Sequence, residues 1–270
     1  MLSEKQIKLI NSLHHKKFRK EHGLFIAEGV KTVNELLRSS CKIHSILGIR
    51  DWGLGMSDEK RYNSLIPNPQ SPIPIIEITE KELKKISNLE TPNQVLAIAE
   101  IPKPEFKIEA LHNELTLALD DIKDPGNFGT ILRIAEWFGI KNVLCSKECV
   151  DAYNPKCVQA SMGSIFRVNV HELNLEEVFA EICNQSPIPN PQSLIPIYAA
   201  MLKGENVYEK PLSRNGILLI GSESHGVSAG LLEYVSTRLF IPSYNKGAES
   251  LNAAFAAAIL CAEFRRREGV

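Results

Sequence analysis

The pattern of apolar and polar positions divides the chain into two α/β regions. In the first region, helical spacing over residues 4–13 and 30–38 accompanies apolar runs at residues 24–27, 43–49 and 95–99. In the second, a helix is predicted over residues 128–138, and strands at 115–119, 142–145, 166–170, 195–200, 217–220 and 238–241. Strands that alternate with helices favour a mostly parallel sheet with right-handed crossovers. The predicted fold class is therefore α/β.

A polar, proline-bearing stretch separates the two regions. It begins Ile-Pro-Lys-Pro-Glu-Phe-Lys at residue 101, a composition typical of a linker. The sequence therefore predicts a first domain over residues 1–100, a linker over 101–114 and a second domain over 115–270. Two proline-dense segments, residues 64–75 and 186–197, nearly repeat one another, and we interpret them as surface insertions.

The last predicted helix, residues 253–264, is apolar on almost every side. One face carries Leu251, Ala254, Phe255, Ala258, Ile259 and Ala262, and the other faces carry Ala253, Ala256, Ala257, Leu260 and Cys261. A helix that is apolar all round is predicted to be buried, although chain ends are normally exposed. The polar Ser250-Leu251-Asn252 at its start therefore indicates a ligand site.

Composition by itself leaves the functional class open. The chain has 270 residues, of which 44% are hydrophobic and 23% charged, and a formal net charge of -1, as in an ordinary globular protein. The chain as a whole has no excess of positive charge that would indicate nucleic-acid binding. Local charge is more informative, because residues 14–20 read His-His-Lys-Lys-Phe-Arg-Lys, which we interpret as a binding surface. The closing Phe264-Arg265-Arg266-Arg267 is interpreted as complementing the dipole of a helix end.

Cysteine spacing and the N-terminus bear on the cellular compartment. The six cysteines form no C-x-x-C pair and have no histidines at zinc-site intervals, so we interpret them as reduced thiols and expect no metal. The first residues have no apolar segment of signal-peptide type, and no apolar stretch is long enough to span a bilayer. We expect a cytoplasmic protein.

Two loops after predicted strands could carry chemistry, since ligands of parallel sheets collect at the carboxyl ends of strands. In the first loop, residues 120–133, Asn127 is predicted to be the N-cap of the following helix. Arg133 lies among apolar positions of that helix. A buried guanidinium there would need an anionic or polar partner.

The second loop, residues 221–228, reads Gly-Ser-Glu-Ser-His-Gly-Val-Ser. Gly221 and Gly226 permit a close approach of the backbone to a ligand. The loop is neither the G-x-G-x-x-G of a dinucleotide site nor a complete G-x-S-x-G nucleophile elbow. Glu223 has two interpretations at this point, as a capping group for the next turn or as a functional carboxylate.

Three motifs in order resemble those of a known family. Asn127-x-Gly129-x-x-x-Arg133, Gly221-x-Glu223-x-x-Gly226 and Ile241-Pro242 followed by Ser250-Leu251-Asn252 resemble the SpoU (TrmH-like) branch of the SPOUT methyltransferases. Residues 162–168 and 204–208 resemble two more segments of that family. Residues 7–38 resemble its N-terminal RNA-binding domain, which is similar to a small ribosomal protein. The resemblance covers nearly the whole chain except the proline-dense segments.

The resemblance implies S-adenosylmethionine-dependent methylation of a ribose 2′-hydroxyl in structured RNA, either rRNA or tRNA. It also implies a homodimer formed through the C-terminal domain, a SPOUT α/β domain with a C-terminal trefoil knot. The cofactor would be held mainly by backbone groups of Gly221, Ile241 and Leu251, with Ala199 nearby. The active-site positions would be Asn127, Arg133, Glu223, Ser250 and Asn252. Two departures are an alanine within Tyr198-Ala199-Ala200 where threonine is expected, and one extra residue in the loop around Tyr244-Asn245-Lys246.

A mechanism follows as a hypothesis. Because a guanidinium stays protonated in proteins, Arg133 is expected to bind the RNA phosphate and stabilise developing alkoxide charge rather than act as a base. Glu223 or a water would accept the proton of the hydroxyl, and Asn127 would orient that hydroxyl. RNA would first dock through Lys16, Lys17, Arg19 and Lys20, with Phe18 available for stacking.

Two alternatives stay open. A hydrolase would use Ser224, His225 and Asp120, although the malformed elbow and the adjacency of Ser224 and His225 oppose it. A catalytically inactive RNA-binding module of the same fold would be expected to lack Asn127, Arg133 or Glu223, and all three are present.

Overall fold

A computed structural model describes residues 2–50, 52, 73–184, 195–245 and 250–266. The interpretation of the two proline-dense segments as surface insertions concerns residues that mostly lie outside these ranges. The extra residue expected near Lys246 also lies beside an undescribed stretch, residues 246–249. The trefoil knot stays a prediction, because the path of the chain through that stretch is part of it.

The N-terminal unit is a four-stranded sheet with helices, built from residues up to Lys103 together with Asp151–Arg167. Its sheet has the order β1-β4-β2-β3, in which β4 is antiparallel to β1 and β2, while β2 and β3 are parallel. The elements are α1 (Glu4–Ser12), α2 (Lys16–His22), β1 (Leu24–Glu28), α3 (Val30–Leu37), β2 (Ile43–Gly48), β3 (Ile75–Glu77), α4 (Glu80–Ile86) and β4 (Val95–Glu100).

Local sequence explains where the helices of this unit begin. Ser3 and Thr79 precede α1 and α4, and each forms a capping box with the Gln or Glu three residues later. The helices then pack Ile10, Leu83 and Ile86 against the apolar face of the sheet. The segment Asp151–Arg167 joins the same unit, where the rings of Tyr153 and Phe166 lie 4.9 and 6.1 Å from Phe25.

The C-terminal unit contains a six-stranded sheet of order β10-β8-β9-β5-β6-β7 in which all neighbouring strands are parallel. This confirms the predicted parallel sheet. Its elements are β5 (Leu115–Leu119), α5 (Pro125–Trp137), β6 (Asn142–Cys145), β7 (Asn169–Glu172), α7 (Leu175–Asn184), β8 (Ile197–Asn206), β9 (Gly216–Ile220), α8 (Ala229–Leu232), β10 (Thr237–Phe240) and α9 (Ala253–Arg266). Helix α6 (Pro155–Ala160) lies in the segment that packs with the N-terminal unit, and 3-10 turns cover Ile108–His112 and Ser164–Phe166.

Two predicted boundaries are wrong for local reasons. Helix α5 begins at Pro125 with Asp124 as its N-cap, and the Asp124 carboxylate accepts a hydrogen bond from the Asn127 backbone N–H at 2.7 Å. Asn127 therefore lies in the first turn and is not the cap. The strand predicted over 166–170 begins only at Asn169, because residues 164–166 form a 3-10 turn.

The prediction that the C-terminal helix is buried on all sides is wrong. Ala257, Leu260 and Phe264 of α9 are buried, but Phe255 is 66% exposed. Helical spacing identifies apolar faces, but it does not reveal whether a face meets the core of the same chain or another molecule. At the end of α9, Arg265 Nε donates to the Phe138 carbonyl at 2.8 Å.

Candidate functional site

The loops that carry the three motifs leave the same edge of the parallel sheet. Strand β9 lies between β5 and β8, and β10 lies outside β8. The chain leaves β5 at Asp120, β9 at Gly221 and β10 at Ile241, so these positions share the carboxyl edge of the sheet. This is the edge at which ligands bind in open parallel sheets.

A chain of hydrogen bonds joins three predicted active-site residues, one from each loop. The side-chain amide of Asn127 donates to Glu223 Oε1. The Asn127 side-chain oxygen accepts from Asn252 Nδ2 at 2.9 Å. The Asn252 side-chain oxygen in turn accepts from the backbone N–H groups of Ala254 at 2.9 Å and Phe255 at 3.4 Å. We call this arrangement the Glu223–Asn127–Asn252 chain.

The Glu223–Asn127–Asn252 chain has a defined direction. It starts at the first turn of α9, whose N–H groups carry partial positive charge, and it ends on a carboxylate that only accepts hydrogen bonds when ionised. Both amide groups are oriented by these contacts, since each uses its oxygen toward one neighbour and its nitrogen toward the other. The exposed Glu223 is therefore a held acceptor rather than a loose surface carboxylate, and the capping interpretation of Glu223 is not supported.

The loop that presents Glu223 is a tight turn closed on itself. Ser222 and Gly226 exchange two backbone hydrogen bonds, of 3.0 and 2.9 Å. Gly226 has a φ of +70°, and a Cβ on Gly221 would lie 2.2 Å from the carbonyl carbon of Gly226. The two glycines were expected to let the backbone approach a ligand, but in the structure their backbones approach each other. The resulting turn places Glu223 at the sheet edge.

The predicted cofactor positions Ala199, Gly221 and Ile241 lie on β8, directly after β9 and directly after β10. Ala199 is fully buried in β8, where it pairs with Leu219 on one side and Arg238 on the other. The register between β8 and β10 shifts directly after that pair, and a Cβ on Gly204 would lie 2.2 Å from the Arg238 carbonyl oxygen. Leu251 is 47% exposed, which leaves an aliphatic side chain available to a ligand at this edge.

Two predicted active-site residues stand apart from the Glu223–Asn127–Asn252 chain. Arg133 is exposed on α5, and it makes no hydrogen bond or ion pair with any residue that the structure describes. The expectation that Arg133 is buried and needs a partner is therefore wrong. Ile131 and Leu132 are buried, whereas Arg133 lies on the exposed side of the same helix. Ser250 is also exposed, without a hydrogen bond inside the described ranges.

The basic run forms α2, and the structure separates one of its arginines from the lysines. Arg19 is 1% exposed, lies 2.6 Å from the Asp151 carboxylate and donates to the Leu13 carbonyl at 2.8 Å. The prediction that Arg19 contacts RNA is therefore wrong, because the Arg19 side chain would have to leave its buried ion pair with Asp151 to bind RNA. Lys17 and Lys20 are exposed, and Lys16 is half-buried.

An aromatic row accompanies the lysines of α2. The Phe18 ring lies 6.4 Å from His15 in a T-shaped arrangement and 6.4 Å from His22 in a stacked one. Lys17 Nζ lies 5.7 Å from the centroid of Phe18. In RNA-binding proteins, unpaired bases stack on aromatic rings and phosphates bind positively charged side chains. The rings and ammonium groups of α2 are of these two kinds.

The hydrolase alternative lacks its triad. Ser224 Oγ lies 3.0 Å from His225 Nδ1, so these neighbours do meet, contrary to the expectation. Asp120 does not orient His225, since its carboxylate accepts a hydrogen bond from the Ser228 backbone N–H at 2.8 Å. Since no carboxylate among the described residues bonds to this imidazole, the arrangement is not a Ser-His-Asp triad.

Sequence reasoning missed Asp124 and the structural role of Asp120. For Asp124 a signal was present, because an Asp followed by Pro is typical of an N-cap with proline at the first helical position. For Asp120 no local signal exists, since its partner Ser228 is 108 residues away. The described residues contain no group of three or more potential metal ligands, and none of their helices is long and apolar enough to cross a membrane.

Comparisons with known proteins identify sequences that are similar to this chain. The sequence model of the SpoU rRNA Methylase family matches residues 114–262, and that of the MRM3-like substrate binding domain matches residues 4–97. The chain is 31% identical over 261 residues to the 23S rRNA (guanosine(2553)-2'-O)-methyltransferase RlmP of Bacillus subtilis, with 96% of each chain covered.

Solved structures show the same relationship. A TrmH-family protein from Porphyromonas gingivalis superposes with a TM-score of 0.82 at 36% identity, with 99% of each chain covered. An AdoMet-bound rRNA methyltransferase from Sinorhizobium meliloti superposes with a TM-score of 0.80 at 25% identity, covering 99% of this chain and 96% of that one.

Proposed function

Because the chain belongs to the SpoU rRNA methylase family, we propose that it methylates a ribose 2′-hydroxyl of ribosomal RNA with S-adenosylmethionine as the methyl donor. The observation that carries this proposal is the Glu223–Asn127–Asn252 chain, which gathers three motifs at one sheet edge. The Bacillus relative, similar over 96% of its length, acts on 23S rRNA, and this favours rRNA over tRNA as the substrate class.

The residues present fit the cofactor. Backbone groups of Gly221, Ile241 and Leu251, with Ala199 in the neighbouring strand, would hold it against the apolar side chain of Leu251. When bound, S-adenosylmethionine supplies an electrophilic methyl group on a sulfonium, so the leaving group needs no further activation. What this chain must supply is the position of the ribose and a route for its proton.

Glu223 and Asn127 perform these two tasks in the proposal. Glu223 accepts the proton of the 2′-hydroxyl, because its carboxylate is an acceptor held at the loop tip by Asn127. Asn127 retains a second N–H with which to orient the ribose oxygen. The exposed guanidinium of Arg133 binds an RNA phosphate and stabilises the charge that develops on the oxygen. Ser250 is assigned to the same site on the basis of its motif.

Two measurements test the proposed function together. Isothermal titration calorimetry should show that S-adenosylmethionine binds the purified protein, alone or with rRNA. Mapping of ribose methylation in rRNA should show a position that depends on the gene and is restored by the purified enzyme. If the cofactor does not bind in either condition, the protein is instead an inactive RNA-binding module.

We also propose that residues 1–100 bind the RNA substrate, consistent with the matched substrate-binding domain model. The docking surface is α2, through Lys16, Lys17 and Lys20, with Phe18 stacking on an unpaired base. These groups supply charge and a ring but no base-specific hydrogen bonds, so they fix position rather than sequence. We also propose a cytoplasmic location, because the relative that matches over nearly its full length is a bacterial enzyme that acts on 23S rRNA.

Neutralising this surface should weaken RNA binding and flatten its dependence on salt. Changing both Lys17 and Lys20 to glutamine removes about two phosphate contacts, so the slope of log affinity against log salt should fall by roughly 1.5. Filter binding at several salt concentrations measures this slope. Lys42→Gln is the matched control, because Lys42 is exposed in the same unit and pairs with Glu100. An unchanged slope in the double variant would show that α2 is not part of the docking surface.

The apolar side chains left exposed on α5 and α9 favour a homodimer. Trp137 is 83% exposed and Phe255 is 66% exposed, and the two helices that carry them pack together. Large exposed apolar groups mark surfaces that another molecule covers. We propose that a second copy of the chain covers these side chains, which would complete the burial that the sequence of α9 predicts.

A further inference from the structure

A buried carboxylate lies directly behind the Glu223 loop. Asp120 follows β5 and is 5% exposed. Its Oδ2 accepts a hydrogen bond from the Ser228 backbone N–H at 2.8 Å, and its own backbone N–H donates to the Ile220 carbonyl at 2.9 Å. Ile220 precedes the Glu223 loop and Ser228 ends it. Asp120 therefore bonds to both ends of the loop that presents Glu223.

Because of its position in the chain, Asp120 links two loops of the candidate site. Asp120 begins the loop that reaches Asn127, while its partners bracket the loop that reaches Glu223. Within the second loop, the Ser222–Gly226 pair and the bond from His225 N–H to Ser222 Oγ at 3.2 Å close the turn on itself. At the tip of the turn, the bond between Asn127 and Glu223 joins the two loops. Asp120 joins them at their base.

We propose that Asp120 is a positioning residue that clamps the Gly221–Ser228 loop to the loop of Asn127, so that Glu223 and Asn127 meet. A carboxylate suits this role because it is a stronger acceptor for a backbone N–H than a neutral oxygen is. Asp120 contacts neither Glu223 nor Asn127 directly among the described residues, so it acts through the backbone of the loop. Its effect on methyl transfer rests on the proposed function, whereas the clamp itself does not.

The test compares Asp120→Ala, which removes the acceptor, with Asp120→Asn, which keeps an acceptor oxygen. Hydrogen exchange of the Ser228 and Gly226 amides should become about 10- to 100-fold faster in the alanine variant, the range expected when a charged acceptor is lost. The asparagine variant should recover most of the protection. Thr116→Val is the matched control, because Thr116 is 1% exposed on β5 and its hydroxyl has no partner among the described residues.

Single-turnover methyl transfer shows whether the clamp acts through Glu223. Asp120→Ala should lower the rate by about 10- to 100-fold in the wild-type background but by less than about threefold in Glu223→Gln, since a lost carboxylate no longer needs positioning. Equal losses in both backgrounds, or unchanged amide exchange in Asp120→Ala, would overturn the proposal. A wild-type protein that transfers no methyl group would overturn the proposed function instead, and amide exchange would still decide whether the clamp exists.

Discussion

Replacing Glu223 with glutamine is expected to slow single-turnover methyl transfer by about 100-fold or more, the contribution typical of a positioned general base. Glutamine matches the size of the side chain but cannot accept the ribose proton at neutral pH. Binding of S-adenosylmethionine should change little, because the cofactor positions are mostly backbone groups. Rapid quench with labelled cofactor, measured over a range of pH, gives the chemical rate.

A second Asn–Glu pair in the same unit provides the control for Glu223→Gln. Asn174 Nδ2 donates to Glu177 Oε1 at 2.8 Å near the start of α7, on the exposed surface. Glu177→Gln alters a bond of the same kind away from the sheet edge and should leave the rate unchanged. If Glu223→Gln keeps the full chemical rate at every pH, Glu223 is not the proton acceptor.

Arg133→Lys separates the role of Arg133 from that of Glu223. Lysine keeps the positive charge but loses the planar fork that binds phosphate through two hydrogen bonds. We therefore expect weaker RNA binding together with a slower rate, whereas Glu223→Gln should slow the rate without weakening RNA binding.

Replacing Gly221 with alanine is expected to abolish both cofactor binding and activity. The new Cβ would lie 2.2 Å from the Gly226 carbonyl carbon and 2.4 Å from the Val227 nitrogen, and these backbone atoms cannot move aside without opening the turn. Overpacking of this kind costs about 1–3 kcal/mol, so the fold should survive while the loop is displaced. Calorimetry with S-adenosylmethionine and thermal unfolding measure the two effects separately.

Gly226→Asn tests whether the effect of Gly221→Ala is steric. Gly226 has a φ of +70°, and no atom lies within 4 Å of the position of its Cβ. Asparagine tolerates this left-handed conformation better than most residues, so the loop should remain closed. We expect this variant to bind the cofactor nearly as well as the wild type. If both variants lose the cofactor equally, the close approach at Gly221 is not the cause.

Local sequence was sufficient to predict the bounds of several strands in the C-terminal sheet. Strands β5 and β6 have the bounds that their apolar runs predict, Leu115–Leu119 and Asn142–Cys145. Both runs are only four or five residues long and are bounded by polar residues, and this length favours a strand over a buried helix. The same reasoning placed Asn127 as the cap of α5, where the true cap is Asp124. Competing capping residues within one turn have similar energies, and the fold selects between them.

Burial of single charged residues could not be obtained from the pattern. Arg19 and Arg133 both lie among apolar or mixed positions, yet the first is buried with Asp151 and the second is exposed. Asp151 is 132 residues from Arg19, so nothing near Arg19 indicates the ion pair. Long-range packing decides which guanidinium is buried in an ion pair and which stays exposed.

The sequence by itself determined the parallel α/β fold and the family, because strand patterns are local properties and the motifs can be recognised in order along the chain. Only the tertiary structure decided how the site is assembled. Glu223 and Asn252 bond to Asn127 across 96 and 125 residues, and Asp120 reaches Ser228 across 108. Such contacts form only after the sheet has brought its loops to one edge, so no local pattern specifies which polar groups become partners.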